Sequence, residues 1–130
     1  MKYLCLIHID EQALDTMPPG EMDALNALHV DFNKDLHAKG HFIAAEALLS
    51  SQATNCVRIK NGKKSVTDGP FAETKEMVAG FYLIDADSLE DATEIASRIP
   101  SASIGTIEVR PTRFLVVDGK DVDAGNPGSL

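Results

Sequence analysis

The sequence contains few cysteines: Cys5 and Cys56 are the only two, and both lie in strand-like apolar stretches. Two isolated cysteines make neither a disulfide framework nor a cysteine-rich metal site, so we expect both to be buried, reduced thiols. Long apolar runs are also missing, since no run approaches the ~20 residues that a membrane span requires. No signal-peptide pattern is recognised, and the cytoplasm is therefore the expected location.

Basic residues are scarce as well, with 12 Lys and Arg against 20 Asp and Glu and a net charge of −8. A surface that binds nucleic acid or an acidic membrane needs a basic footprint, so this balance argues against both partners. The sequence also lacks a glycine-rich phosphate loop, an H-E-x-x-H pair and a serine nucleophile elbow. No cofactor and no metal site is predicted.

What the sequence does contain is one domain with alternating strand and helix patterns. Helices are predicted over residues 20–39 and 88–99, and a loop over residues 12–20. Strands are predicted over residues 3–9, 41–49, 54–60, 63–67, 77–86 and 105–113. Without the small hairpin at residues 54–67, the order is βαββαβ, which is the ferredoxin-like α+β pattern. We assign residues 1–117 to this domain and residues 118–130, rich in Gly, Asp and Pro, to a flexible tail.

Two strands, at residues 3–9 and 78–84, are apolar at odd and even positions alike. Such a strand is covered on both of its faces. A ferredoxin-like domain packs its two helices on one face of the sheet and leaves the other face open, and a bare apolar face is rare on a monomer. The sequence therefore predicts a homodimer in which two sheets pack face to face, a dimeric α+β barrel.

A polar segment at residues 65–76 follows the hairpin, and its Asp68-Gly69-Pro70 run predicts a firm turn. Two interpretations of the segment remain open. In the structural one, Phe71 fills the edge of the core while Glu73, Lys75 and Glu76 pair with Arg58, Arg110 or the other subunit. In the functional one, a rigid turn that carries carboxylates and a lysine lines a pocket and orients a small polar ligand.

His29 is the main candidate for chemistry. It lies on the predicted inward stripe of the first helix, which consists of Met22, Leu25, Leu28, His29, Phe32 and Leu36. A histidine in such a place must find a hydrogen-bond partner or remain neutral at a cost. It is therefore either a structural histidine at the edge of a cavity or an acid–base group. Tyr82, on an apolar strand, is a candidate to lend its hydroxyl group to the same cavity.

The run Asp-Gly-Pro-Phe-Ala-Glu-Thr-Lys-Glu at residues 68–76 resembles the motif of the DGPF branch of the YCII-related family of small bacterial proteins. The similarity extends over about residues 1–113. It includes Met-Lys-Tyr-Leu-Cys-Leu-Ile at 1–7, Ala-Thr-Asn-Cys-Val-Arg at 53–58, Gly-Phe-Tyr-Leu-Ile at 80–84 and Ile-Glu-Val-Arg-Pro at 107–111. The resemblance implies the same dimeric α+β barrel.

The resemblance also implies a role for His29. Related proteins often have a histidine on this helix, as far before its end as His29 is before Gly40. In a better-studied branch this histidine pairs with an aspartate just before the proline that ends the second helix. Here Ile99 precedes Pro100, so we consider Asp68 or Glu73 as the replacement carboxylate.

The expected function is cofactor-free acid–base catalysis on a small polar or aromatic compound. Related proteins include a dehydrochlorinase of a hydroxylated aromatic ring. His29 and Asp68 are the predicted catalytic residues. The predicted ligand-binding residues are Phe71, Glu73, Lys75 and Tyr82.

Two alternatives from other functional classes remain. Genes of similar proteins often lie beside those of extracytoplasmic-function sigma factors, which suggests an accessory protein whose acidic surface meets a basic partner. The other alternative is a structural dimer without a ligand. An enzyme or sensor is expected to have a sealed, polar-lined pocket near His29, and an interaction protein a flat exposed patch.

Overall fold

In the computed structural model, which describes residues 1–129, four strands form one antiparallel sheet. The strands of the chain are β1 Lys2–Asp10, β2 Phe42–Ala47, β3 Asn55–Lys60, β4 Lys63–Asp68, β5 Glu76–Asp85, β6 Thr106–Pro111, β7 Leu115–Val117 and β8 Lys120–Val122. The spatial order of the main sheet is β2-β5-β1-β6. This is the order of a ferredoxin-like βαββαβ domain with β3 and β4 inserted, and the predicted α+β fold is confirmed.

The helices are α1 Glu11–Asp15, α2 Pro19–Ala38 and α3 Leu89–Ser97. Ser88 caps α3, because its hydroxyl accepts a hydrogen bond from the Asp91 amide. The prediction of a loop over residues 12–20 is wrong in its first half. There, the Asp10 carboxylate accepts a hydrogen bond from the Gln12 amide and starts the short helix α1.

The core lies between one face of the sheet and the helices α2 and α3. It consists mainly of Tyr3, Cys5, Ile7 and Ile9 of β1, Tyr82 and Ile84 of β5, Leu36 of α2, and Ala92, Ile95 and Ala96 of α3. The predicted inward stripe of α2 is wrong at Leu28, which is 56% exposed. The helix ends as predicted, with Gly40 at a positive φ of 76° just beyond it.

The other face of the sheet is apolar at its centre. Leu4 and Leu6 of β1 lie opposite Leu83 and Phe81 of β5, and all four side chains are half-buried. Within one subunit, therefore, only the helix-facing side of these two strands is fully covered. The face-to-face dimer that the sequence suggested remains a prediction.

Two hairpins stand outside the main sheet. The first is the hairpin expected at residues 54–67; it joins β3 to β4 through Asn61 and Gly62, both at positive φ, as is typical of an Asn-Gly turn. The second joins β7 to β8, and Val122 at its end is only 3% exposed. The domain boundary suggested at residue 117 falls inside this second hairpin, so the next residues pair with the domain. Leu130, the end of the predicted tail, lies outside the described residues.

Candidate functional site

A cavity of about 400 Å³ lies between α2 and the sheet. We call it the His29 cavity. Its polar side chains include Asn26, His29 and Asn33 from α2, Tyr82 from β5 and Ser101 from the short 3₁₀ turn Pro100–Ser103. Most other lining residues are apolar, Glu46 of β2 is the charged residue among them, and the lining contains no lysine or arginine. A pocket is therefore present near His29, but it is half open and mostly apolar, not the sealed polar-lined pocket expected of an enzyme or sensor.

Both ring nitrogens of His29 have a partner. Nδ1 lies 2.9 Å from the Tyr82 hydroxyl oxygen, and Nε2 lies 2.7 Å from Oγ of Ser101. The strand alternation of β5 directs Tyr82 toward α2, and the turn after Pro100 brings Ser101, which is only 3% exposed, under the same helix. His29 is thus held at a fixed orientation by two hydroxyl groups.

Burial keeps both rings of this group uncharged near neutral pH. Desolvation lowers the pKa of His29 below its usual value of 6.5. Desolvation also raises the pKa of Tyr82 to about 12, against the smaller opposing effect of a hydrogen bond from Asn33. At pH 7 the imidazole is therefore neutral and the phenol keeps its proton.

A neutral imidazole carries one proton, so one ring nitrogen of His29 donates to its hydroxyl partner and the other accepts from its own. In the tautomer with the proton on Nε2, Tyr82 donates to Nδ1 and Nε2 donates to Oγ of Ser101. The hydroxyl proton of Ser101 is then available to an acceptor in the cavity.

Asn33, which lines the His29 cavity, has a side-chain oxygen without a hydrogen-bond partner in the described part of the chain. Its Oδ1 is buried and is the one buried side-chain nitrogen or oxygen that has no hydrogen-bond partner among residues 1–129. Leaving a buried acceptor unpaired costs about 1–3 kcal/mol, and such atoms usually have a functional or solvent-related explanation.

The structure brings together two of the predicted site residues, His29 and Tyr82. It does not bring Asp68, Glu73 or Lys75 to them, because these three line neither of the two main cavities and are exposed. The carboxylate partner expected for His29 is replaced by hydroxyl groups. The structural interpretation of Phe71 as a plug of the core edge is also wrong, because the ring is 84% exposed.

Phe71 lines a second cavity of about 740 Å³, on the side of the sheet away from the helices. We call it the motif groove. It is bounded by residues 48–54, by the motif residues around Phe71, and by Met77 and Val78 of β5.

The expected ion pairs of the motif with Arg58 and Arg110 do not form within residues 1–129. Arg110 pairs with Glu108 instead, and Glu76 accepts a hydrogen bond from Thr106.

Sequence reasoning missed Ser101 and Asn33. Asn33 lies four residues after His29, and residues at this spacing share one face of a helix. Ser101 directly follows Pro100, close to the position where the carboxylate was expected. Both signals were present, but only the path of the turn after α3 shows that Ser101 reaches back to α2.

No helix within residues 1–129 is long and apolar enough to cross a membrane. In this part of the chain, no three His, Cys, Asp or Glu side chains are grouped so that they could hold a metal ion.

Comparisons with known proteins agree with this fold. Residues 1–115 match the YCII-related domain. The chain is 47% identical over 66 residues to the uncharacterised protein R00369 of Rhizobium meliloti (strain 1021), an alignment that covers 49% of this chain and 53% of that protein. Thus the aligned region spans about half the length of this curated relative.

A solved structure is also similar, that of 5-chloro-2-hydroxyhydroquinone dehydrochlorinase (TftG) from Burkholderia phenoliruptrix AC1100 in complex with 2,5-dihydroxybenzoquinone. The TM-score is 0.53 at 15% identity, and the match covers 88% of this chain and 96% of that one. At this identity the similarity shows the fold alone. The domain match, over most of the sequence, shows more: the chain belongs to the YCII-related family.

Proposed function

We propose that the His29 cavity binds a small, uncharged, hydroxylated compound and transfers a proton on it without a cofactor. The observation that carries this proposal is the neutral His29 ring, which bridges the hydroxyl groups of Tyr82 and Ser101 at the wall of a cavity. A neutral imidazole is the form that acts as a general base near pH 7.

In the proposed reaction, Tyr82 and Ser101 contact the substrate and His29 holds the proton. A substrate O–H bond breaks and its proton passes to the Tyr82 oxygen, while the Tyr82 proton passes to Nδ1 of His29. The electron pair stays on the substrate oxygen, which accepts a hydrogen bond from the Ser101 hydroxyl. The proton then returns to a different atom of the substrate, such as a ring carbon, and His29 is neutral again.

The lining of the cavity supports this class of substrate. A carboxylate or phosphate group would find no lysine or arginine in it, and an unpaired buried charge is costly. Apolar residues such as Ile7 and Leu25 suit the faces of a ring. TftG, the structural neighbour, is a dehydrochlorinase solved with a single oxygenated ring, which is consistent with acid–base chemistry here.

The test uses benzene-1,2,4-triol in D₂O and follows exchange of its ring hydrogens by NMR. We expect the wild-type protein to accelerate the exchange. His29→Gln should reduce this acceleration about 100-fold or more, the usual contribution of a general base. His41→Gln is the matched control, because His41 bonds to the Asp85 carbonyl oxygen and lines neither cavity.

Binding separates the substrate class from the reaction. Isothermal titration with hydroquinone and with its carboxylated analogue should show binding of the uncharged compound and at least about tenfold weaker binding of the anion. Equal exchange rates for His29→Gln and His41→Gln would refute the catalytic role. Preferred binding of the anion would refute the substrate class.

The cytoplasmic location and the alternative of an accessory protein for a sigma factor remain predictions. Co-purification of an extracytoplasmic-function sigma factor with the tagged protein, at stoichiometric amounts, is the measurement that favours the accessory role.

A further inference from the structure

The open face of the sheet carries a group of charged side chains at one end, where β1 lies between β6 and the start of β5. In β1, Ile7 and Ile9 are buried against the helices, so His8 between them lies on the open face. Thr106 of β6 lies directly opposite His8. The motif groove is at this end of the sheet, and the titratable side chains in its lining are His8 and Glu76.

Glu108 fixes the position of the proton on the His8 ring. Nε2 of His8 lies 3.0 Å from Oε1 of Glu108, and Oε2 of the same carboxylate lies 3.1 Å from Nε of Arg110. An ionised carboxylate only accepts hydrogen bonds, so Nε2 is the donor in this contact. In a neutral imidazole Nδ1 then carries a lone pair. Within residues 1–129, Nδ1 of His8 has no hydrogen-bond partner, so His8 lines the groove with an unused acceptor atom.

Glu76 supplies a second acceptor near His8. Its Oε1 accepts a hydrogen bond of 2.8 Å from the hydroxyl group of Thr106, the residue opposite His8. Residues directly opposite each other in antiparallel strands have Cβ atoms about 4.5–5.5 Å apart. Thr106 therefore holds the Glu76 carboxylate near the His8 ring. The Glu76 side chain is half-buried and forms no ion pair with any described residue.

The rest of the groove is uncharged. Leu49 and Phe71 are 85% and 84% exposed, and Met77 and Val78 also line the groove. The neutral polar residues of the lining are Ser50, Ser51, Thr54 and Thr74. A cavity of about 740 Å³ with apolar walls and a few polar groups at one end is typical of a site for a small molecule.

The charges around this end of the groove favour a cation as the ligand. Glu76 and Glu108 are both here, and Asp10 lies directly opposite Glu76 in the sheet. Arg110 is close as well, but it is paired with Glu108 and does not line the groove. The whole chain has a net charge of −8, and charge of one sign at a cleft raises the local concentration of ligands of the opposite sign.

We infer that the motif groove is a second binding site of this chain, and that its ligand is a small primary amine with an aromatic or branched apolar body. The ammonium group donates hydrogen bonds to the Glu76 carboxylate and to Nδ1 of His8, since an ammonium carries several N–H donors. The apolar body packs against Phe71 and Leu49. Glu108 is a positioning residue, because it keeps the ring proton on Nε2 and leaves Nδ1 to the ligand.

This site is separate from the His29 cavity, which lies on the helix side of the sheet. Ala47 and Leu48, at the end of β2, line both cavities, but the charged acceptors His8 and Glu76 line only the motif groove. The inference does not depend on the proposed catalysis, because it is tested by the binding of an amine alone.

The first test is isothermal titration at pH 8 with 2-phenylethylamine. We expect saturable binding of one molecule per chain, with a dissociation constant of about 1 mM or lower for a ligand of this size. The comparison compounds are 2-phenylethanol and phenylacetate, which keep the ring and replace the ammonium group by a hydroxyl group or a carboxylate. Both should bind at least about tenfold more weakly than the amine.

Glu76→Gln tests the carboxylate. Glutamine keeps an oxygen that can accept the hydrogen bond from Thr106, so the sheet should stay intact. The dissociation constant of the amine should rise about tenfold or more, because a charge-assisted hydrogen bond is lost. The control is Glu94→Gln on α3, where the side chain is exposed and lines neither cavity. It removes the same charge from the chain, and its dissociation constant should equal that of the wild type.

Nitrogen-15 NMR of the histidine rings tests the other acceptor. The chain has four histidines, and His8→Gln identifies the signals of His8. In the free protein Nε2 of His8 should be protonated and Nδ1 should not. The amine should shift the Nδ1 signal of His8 and leave the ring signals of His29 unchanged. Glu108→Gln should produce a mixture of His8 tautomers and weaken amine binding about threefold or more, whereas a purely structural role of Glu108 predicts an unchanged tautomer.

Four results would overturn the inference. One is the absence of saturable binding at about 10 mM amine, tenfold above the expected constant, as would be found if another protein surface covers the groove. Another is tighter binding of phenylacetate than of the amine. The third is an equal dissociation constant for Glu76→Gln and Glu94→Gln. The last is an amine-induced shift at His29 and not at His8, which would place the amine in the His29 cavity.

Discussion

Ser101→Ala removes the hydroxyl group that is hydrogen-bonded to Nε2 of His29. The bond is 2.7 Å long and Ser101 is 3% exposed, so water does not readily replace the lost oxygen. Leaving a buried polar group unpaired costs about 1–3 kcal/mol. We therefore expect the free energy of unfolding to fall by about 1–3 kcal/mol, and the melting temperature to fall by roughly 3–5 °C for each kcal/mol in a domain of this size.

Urea denaturation measures this loss. The slope of the free energy of unfolding against urea concentration should stay the same, while the urea concentration at the midpoint decreases. The same turn contains a matched control. Ser103 is exposed, and its hydroxyl donates to the Pro100 carbonyl oxygen at 3.0 Å. Ser103→Ala should change the free energy of unfolding by no more than about 0.5 kcal/mol, as is usual for a surface substitution.

A double-mutant cycle with His29→Leu isolates the bond. In the His29→Leu background no ring nitrogen can lose its partner. Ser101→Ala should therefore lower the free energy of unfolding much less there than in the wild type. We expect a coupling of about 1 kcal/mol or more. The reasoning is refuted if Ser101→Ala is no more destabilising than Ser103→Ala, or if its cost is the same with and without His29.

Three further predictions follow from burial and packing. Because burial lowers the pKa of His29 below 6.5, its contribution to stability is complete above pH 6.5 and is lost as the pH falls through the lowered value. The contribution of His29 to the free energy of unfolding should change by at most about 1.4 kcal/mol per pH unit. His29→Gln should abolish this pH dependence in urea titrations at several pH values. Gly105→Ala should destabilise the domain by about 1–3 kcal/mol in thermal melts, because the new Cβ overlaps a carbonyl oxygen of β1. Gly20→Ala meets open space on a helix and should be neutral or stabilising. At pH 8 a maleimide should label Cys56 in the folded protein and Cys5 only after unfolding, since burial raises the pKa of Cys5 to about 11; mass spectrometry with two labels on the native protein would contradict this.

Most of the fold follows from local patterns. The apolar alternation of β1 and β5, the Ser88 cap and the Asn61-Gly62 turn are each readable within about ten residues, and the strand order follows from the βαββαβ sequence of elements. The short helix α1 was missed, because its start depends on the side chain of Asp10. Leu28 was placed inward, because the apolar stripe that periodicity predicts is wider than the face of α2 that is covered.

The candidate site was only partly predictable, for a physical reason. His29 was identified because a histidine among apolar residues of one helix needs a partner, and this is a local signal. The partners Tyr82 and Ser101 lie 53 and 72 residues away in sequence, and only the packing of the turn after α3 under α2 brings them together. Glu73 and Lys75 were chosen because charged residues are dense in this part of the sequence. Charge density does not indicate on which face of the sheet the residues lie.

The place of β1 in the sheet has a consequence for synthesis. The strand Lys2–Asp10 is synthesised well before both of its neighbours, β5 Glu76–Asp85 and β6 Thr106–Pro111. About a hundred residues are translated after β1 before its second edge is paired. During that interval the apolar side chains of β1 are exposed on the nascent chain, and substitutions that slow the pairing of β6 should reduce soluble yield more than they reduce the stability of the finished domain.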